Sequence, residues 1–284
     1  LIAELCARFQ CGYEVFRALE KKGLVRSFYD YRSLVSGDRH YREYLNLTSE
    51  QEEFVRVFRR RPTDSHLLMG VTGSGKSECY MRCADLVMET GGRVLYLVPE
   101  IGLTPAAISR MKVRFGSDVA ILHSGLSPGQ RLSEWLRILK GDVQIVVGTR
   151  SAVFAPIQNL KLIIVDEEHD DSYKQGTDPR YNAVHAALFR GRQAEAGVIL
   201  GSASPTVESY FNSRHGRYQL STLRNRVAGG ALPAMEIVDM GREFKEHAGK
   251  KQMFSGALLE AIQQILAERR QVLLFLNRRG YAPF

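Results

Sequence analysis

Gly70-Val71-Thr72-Gly73-Ser74-Gly75-Lys76-Ser77 is the stretch that decides the fold. It fits G-x-x-x-x-G-K-[ST], the phosphate-binding loop. Successive backbone N–H groups must curl around phosphate oxygens, and glycines let the chain adopt the required φ values and approach closely. Lys76 supplies a point charge for the β- and γ-phosphates, and Ser77 a hydroxyl for Mg²⁺. A helix starting near Lys76 would aim its N-terminus at the anion. The flanks suit the motif. His66-Leu67-Leu68-Met69 is a short apolar run for a buried strand, and Glu78 to Glu89 reads as a helix ended by Gly91-Gly92. A Gly-rich turn between strand and helix is the plain alternative.

Downstream, apolar runs alternate with helical patterns. Arg93 to Val98 is a continuous apolar strand that runs into Pro99-Glu100-Ile101-Gly102-Leu103-Thr104-Pro105. Val119 to Leu122 ends in His123-Ser124-Gly125. A helix around Gln130–Lys140 precedes the strand Val143 to Val147, which opens into Gly148-Thr149-Arg150-Ser151-Ala152. Leu160 to Val165 ends in Asp166-Glu167-Glu168-His169, and Val198 to Leu200 precedes Gly201-Ser202-Ala203-Ser204-Pro205. This alternation predicts an α/β fold with a parallel sheet and helices on both faces. Ligands of such sheets bind beyond the carboxyl ends of the strands, where each of these polar clusters falls.

Asp166 is the acidic strand end that holds Mg²⁺ in phosphate-loop enzymes, directly or through water. Glu167 is placed to orient and deprotonate an attacking water. Adjacent acids closing a buried strand need a cation to offset their charge, which suits Mg²⁺. An acidic first turn of a helix is the alternative. His169 has no Cys or His partner at metal spacing and reads as a coupling residue beside the γ-phosphate. Upstream, Thr48 or Ser49 can cap a helix Glu50–Arg60. Gln51, about twenty residues before the loop, either presents its amide to an adenine edge or lies on a helix surface.

The 284 residues are 44% hydrophobic and 25% charged, an ordinary globular balance with room for a sizeable core. The net charge of +8 suits a polyanionic partner without proving one. Cys6, Cys11, Cys79 and Cys83 show no C-x-x-C spacing, so a reducing compartment is the simplest reading, and no apolar run reaches the length of a membrane span. A cytoplasmic location is expected. Leu1 to Lys22 has helical periodicity with Leu5, Phe9, Val15, Phe16 and Leu19 as core candidates; Gly23 ends it and Leu24 to Tyr31 suits a strand. This is either a partial winged-helix-like segment or a generic helical cap. Leu1 instead of Met, and Phe284 inside a strand-like run, predict a piece of a longer protein.

Taken together, Gly70–Ser77, Asp166–His169 and Gly201–Pro205, in this order and spacing, resemble the RecA-like motor of superfamily 2 helicases. Leu97–Pro105, His123–Ser127, Gly148–Pro156, Ile163–Gln175, Pro179–Tyr181 and Leu273–Pro283 are similar to the bacterial replication-restart, or primosomal, helicases within it. The resemblance implies an ATP- and Mg²⁺-dependent DNA helicase moving 3′ to 5′. It also implies single-stranded and forked DNA, primosomal proteins, single-strand-binding protein and a replicative helicase loader as partners. It divides the chain into residues 1–45, a motor lobe over 46–223, and a linker with the start of a second lobe over 224–284. The loop Asp170 to Tyr181 then becomes an aromatic-rich DNA-coupling segment, with Tyr173, Lys174, Arg180 and Tyr181 in contact. Tyrosine rings stack on bases and cations meet phosphates. A solvated loop is the alternative. Thr149 and Arg150 would face the DNA backbone, with Thr104, His123, Ser202 and Ser204 in the same groove or coupling path. Ser204 and Ser77 stand where the family commonly has Thr; both keep a hydroxyl. The family's zinc-binding cysteines would lie beyond Phe284, so Zn²⁺ belongs to the family and to no residue here. An RNA helicase, a double-strand translocase and an idle DNA-binding scaffold remain open.

Overall fold

The computed structural model describes residues 13–22, 24, 46–102, 104–227, 229, 234–246 and 254–275. In chain order the elements are α1 (Tyr13–Lys21), α2 (Ser49–Arg60), β1 (Ser65–Gly70), α3 (Lys76–Glu89), β2 (Arg93–Leu97), α4 (Pro105–Phe115), β3 (Val119–Leu122), α5 (Pro128–Lys140), β4 (Ile145–Gly148), β5 (Leu160–Val165), α6 (Ala183–Ala194), β6 (Gly197–Ser202), α7 (Val207–Arg214), β7 (Gln219–Leu223), α8 (Met240–Glu246) and α9 (Gly256–Ala267). The seven strands form one sheet in the order β3-β4-β2-β5-β6-β1-β7, and all pairings are parallel. The α/β expectation therefore holds, with helices on both faces.

Strand side chains alternate between faces, and here both faces are dry. On β5, Leu162 and Ile164 join a core with Phe54 and Phe58 of α2 and Cys79, Tyr80 and Cys83 of α3. Ile163 and Val165 join the opposite core with Ile138 of α5 and Ala183, Val184 and Ala187 of α6. Burying one such Leu or Ile is worth roughly 1.5–3 kcal/mol, far more than the tenths by which helix propensities differ. Packing on the sheet therefore holds the helices.

Local signals set the helix starts. Thr48 caps α2 and Gln51 returns the bond, a capping box; Ser127 and Gln130 do the same for α5, with Pro128 in its first turn. The first strand runs Ser65–Gly70, α3 begins at Lys76 as the phosphate loop requires, two residues ahead of the Glu78–Glu89 pattern, and β4 begins at Ile145 instead of Val143.

The chain divides into two compact units between Gly229 and Gly230. In the first, α1 is the only part of the expected winged-helix-like segment with described secondary structure; the Leu24–Tyr31 strand lies outside the described residues apart from Leu24. Val15, a core candidate, is 48% exposed, so that expectation fails. In the second unit, the apolar run at residues 271–275, which suits the first strand of a second lobe, carries no strand, with Leu273 and Phe275 exposed. A strand needs a neighbour for its N–H and C=O groups, and no described residue pairs with this stretch.

Candidate active site

The sheet order brings the chemistry together. β5, β6 and β1 are neighbours, with Met69 level with Ser202 and Val165 level with Leu200. The phosphate loop, the Asp166–His169 box and the Gly201–Pro205 turn therefore leave one edge of the sheet side by side. In the loop, Gly73 and Gly75 both have φ of 81°, a left-handed conformation that favours glycine. Gly75 precedes α3 without a side-chain cap, so the first amides of this helix have no intrahelical acceptor and open toward the loop. The Ser74 hydroxyl is buried without a protein partner. Lys76 is 8% exposed; its Nζ donates to the Gly70 carbonyl (2.9 Å) and lies 3.7 Å from Glu167 Oε1. This is a cradle for an anion, with a cation held at its mouth. Ser77 is exposed at the start of α3, and Val71 and Thr72 form the approach to the loop.

Gln51 is 2% exposed, and both ends of its amide are engaged. Oε1 accepts from Thr48 N (2.8 Å) and Nε2 donates to the Ser74 carbonyl (2.8 Å). Its observed role is to tie α2 to the phosphate loop, a buried position instead of a helix surface.

Asp166 Oδ1 accepts from the Tyr80 hydroxyl (3.0 Å) and the Glu167 amide (3.1 Å), and Oδ2 from the Tyr96 hydroxyl (3.2 Å). Burial, then the charge of Glu167, raises its pKa; the two tyrosine bonds and Lys76 oppose that rise. Glu167 has φ of 46°, unusual for a residue with a Cβ and costing of order 1–3 kcal/mol. That turn directs a partly exposed carboxylate between Lys76 and His169, each 3.7 Å away. His169 Nδ1 lies 2.7 Å from Ser202 Oγ, which also accepts from Ser204 N (2.9 Å). The box and the Gly201 turn are thus joined through a side chain.

Two features of the site have no local signature in the sequence. Glu168, 4% exposed, accepts from Thr206 N (2.7 Å), Thr206 Oγ1 (3.3 Å) and Ser209 Oγ (3.0 Å), holding the start of α7. Gly201 leaves room for Tyr80: a Cβ there would overlap the tyrosine hydroxyl.

The DNA-side expectations change most. Tyr173 is 1% exposed and its hydroxyl donates to the Asp166 carbonyl (2.7 Å), so it belongs to the core and is not a surface stacking ring. Thr149 and Ser202 are also buried, at 5% and 0%, which removes their side chains from a DNA-facing surface. Arg150 Nη1 donates to the carbonyls of Ser172 (3.0 Å) and Lys174 (2.8 Å), so it first braces the loop after the box. Thr104 caps α4 through Ala107 N (3.2 Å), and His123 Nδ1 accepts from Gly125 N (3.2 Å). Ser204 is exposed. Lys174 and Arg180 are exposed and rest on Asp171 (2.9 Å) and Asp178 (3.6 Å). Tyr181 packs edge-on against Phe154, ring centroids 4.9 Å apart, and Phe154 is 56% exposed. Phe154 is a candidate aromatic contact with no local signature, since only packing brings it beside Tyr181.

Among the described residues no three His, Cys, Asp or Glu side chains could hold a metal, and Cys79 and Cys83 are buried free thiols; Cys6 and Cys11 lie outside them. Mg²⁺ needs no such cage. It keeps waters and takes one or two protein oxygens beside substrate phosphates, which the Ser77 hydroxyl and the Asp166 carboxylate next to an uncapped helix start can supply.

This sheet order and strand-end chemistry define a class, the RecA-like lobe with a phosphate-binding loop. The chain belongs to the DEAD/DEAH box helicase family, which matches residues 48–211; such helicases use ATP with Mg²⁺. It is similar to the replication restart protein PriA of Bacillus subtilis (43% identity over 99% of this chain and 36% of the relative). The PriA proteins of Treponema pallidum and Synechocystis give 44% over 98% and 40% over 100% of this chain, covering 41% and 35% of those relatives. The chain thus spans little more than a third of their length. Of solved structures, the DUF1998 helicase MrfA shares the fold at TM-score 0.52 and 17% identity, over 94% of this chain and 39% of that one. No described helix is long and apolar enough to cross a membrane.

Proposed function

We propose that this chain carries the ATP-binding lobe of a 3′-to-5′ DNA helicase that restarts stalled replication forks. Residues 46–223 form that lobe, and residues 224–284 lead into a second. The observation that carries the reading is the alignment of phosphate loop, acidic box and Gly201 turn on three adjacent parallel strands, with Lys76 between Gly70 and Glu167. In this reading Gly70–Ser77 bind the phosphates and Glu167 orients and deprotonates the attacking water. His169 and Ser202 carry the state of the site to the Gly201 turn. Ser77 and Asp166 would hold Mg²⁺, which when bound would neutralise charge at the phosphates. The restart role, with single-stranded and forked DNA and primosomal proteins as partners, comes from the likeness to PriA proteins.

The test is steady-state ATPase of the complete protein with no nucleic acid, single-stranded DNA or RNA. Single-stranded DNA should stimulate turnover more than RNA does. Lys76→Ala should abolish turnover while DNA binding survives, because the DNA contacts lie elsewhere. ATPase at the parent's rate in Lys76→Ala, or stimulation by RNA alone, would sink the reading.

A further inference from the structure

We infer that Tyr80 and Tyr96 are positioning residues that lock the Asp166 carboxylate with a single acceptor position left open for the cation side of the site; this rests on the nucleotide reading above. A carboxylate has about four lone-pair positions. Oδ1 has filled both of its own with the Tyr80 hydroxyl and the Glu167 amide, while Oδ2 holds only the Tyr96 hydroxyl. One position on Oδ2 remains among the described residues. A third tyrosine, Tyr173, holds the Asp166 carbonyl, so side chain and backbone are both fixed.

The three tyrosines come from different elements: α3, β2 and the loop after β5. Tyr80 and Tyr96 pack edge to face, centroids 5.9 Å apart, and Gly201 closes over the Tyr80 hydroxyl. These contacts hold the plane of the carboxylate and leave the same acceptor position open. Choosing phenols as donors has a chemical consequence. An arginine in their place would fix the carboxylate equally well but neutralise it, and compete with a divalent cation. A phenol, whose ordinary pKa is about 10, is a neutral donor at neutral pH without any shift.

The experiment measures Mg²⁺-dependent binding of a fluorescent ATP analogue to the complete protein, for the parent, Tyr80→Phe, Tyr96→Phe, Asp166→Ala and the double variants. Groups that orient a metal ligand typically govern metal affinity by 10–100-fold. Each Tyr→Phe change should raise the half-saturating Mg²⁺ concentration at least about tenfold and leave Mg²⁺-free nucleotide binding near the parent's. In the Asp166→Ala background the same changes should add nothing. A parent-like Mg²⁺ midpoint in both tyrosine variants, or equal shifts with and without Asp166, would overturn the inference. A purely structural role would lower the unfolding temperature without moving that midpoint. If the parent binds no nucleotide, the proposed function fails separately. A nucleotide-free unfolding cycle between Tyr80 and Asp166 then decides, and additive effects would overturn the lock.

Discussion

His66 stands on β1, level with Ile199 of β6 and Gln219 of β7, and has no exposed surface. Its Nε2 lies 2.9 Å from the Arg61 carbonyl, and Phe54 and Phe58 pack against the ring. Burial holds its pKa below the ordinary histidine value; the Arg61 carbonyl and Asp64 pull it up, and the Arg61 charge pushes it down. The folded state therefore keeps this ring neutral where the unfolded chain, titrating near about 6.5, binds a proton. More protons on the unfolded chain mean that stability falls as the pH is lowered, by up to about 1.4 kcal/mol per unit below about 6.5 until the folded value is reached. Denaturant unfolding of the parent and His66→Gln at pH 7.5, 6.0 and 5.0 checks this (working pH values chosen around about 6.5). The parent should lose more stability on acidification than the variant; parallel losses would show that His66 is not linked. Nothing about His66 could be read from sequence beyond its place in an apolar run. Its burial comes from pairing on both sides of β1.

Helix starts show where local reading suffices and where it stops. The boxes Thr48/Gln51 and Ser127/Gln130 are written within one turn of sequence, and both helices start there. The start of α7 has a local cap, Thr206 to Ser209 N, but also the Glu168 carboxylate from 38 residues away on Thr206 N. That second support is a product of β5 lying beside β6 and has no local signature. Glu168→Ala removes acceptors from Thr206 N and Ser209 Oγ, and leaving such groups unpaired costs about 1–3 kcal/mol. Hydrogen exchange at Val207–Tyr210 should quicken, and the unfolding midpoint should drop, with nucleotide affinity little changed. Unaltered exchange there would mean that Thr206 alone suffices. Arg150 teaches the same lesson: a cation after a strand suggests a phosphate contact, but two backbone carbonyls of the folded loop claim its Nη1.

Across the whole sheet, β5 separates two groups of strand ends. β6 and β1, on one side, carry Ser202 and the phosphate loop; β2, β4 and β3, on the other, lead into Thr104, Thr149 and His123. The parallel order and the polar strand ends were legible because apolar runs stop at the same kind of cluster each time. Depth within the lobe was not: Tyr173 and Tyr181 look equivalent in sequence, and only packing puts one in the core and the other beside Phe154. Phe154→Ala with Tyr181→Ala should lower single-stranded DNA affinity by at least about tenfold, since stacking is worth about 1–3 kcal/mol per base. Nucleotide affinity should hold. Fluorescence anisotropy with a labelled oligonucleotide measures it, and undiminished DNA affinity would remove this pair from the interface. Gly201, finally, has no left-handed φ to explain it; a hydroxyl from α3 fills the space beside it. Positions 80 and 201 are therefore coupled for substitution. A side chain at 201 meets the Tyr80 ring unless that ring is removed or displaced, and removing the ring forfeits a bond to Asp166. Either order of change passes through a clash or a lost hydrogen bond, so the missing side chain at 201 answers to a distant neighbour and not to its own backbone.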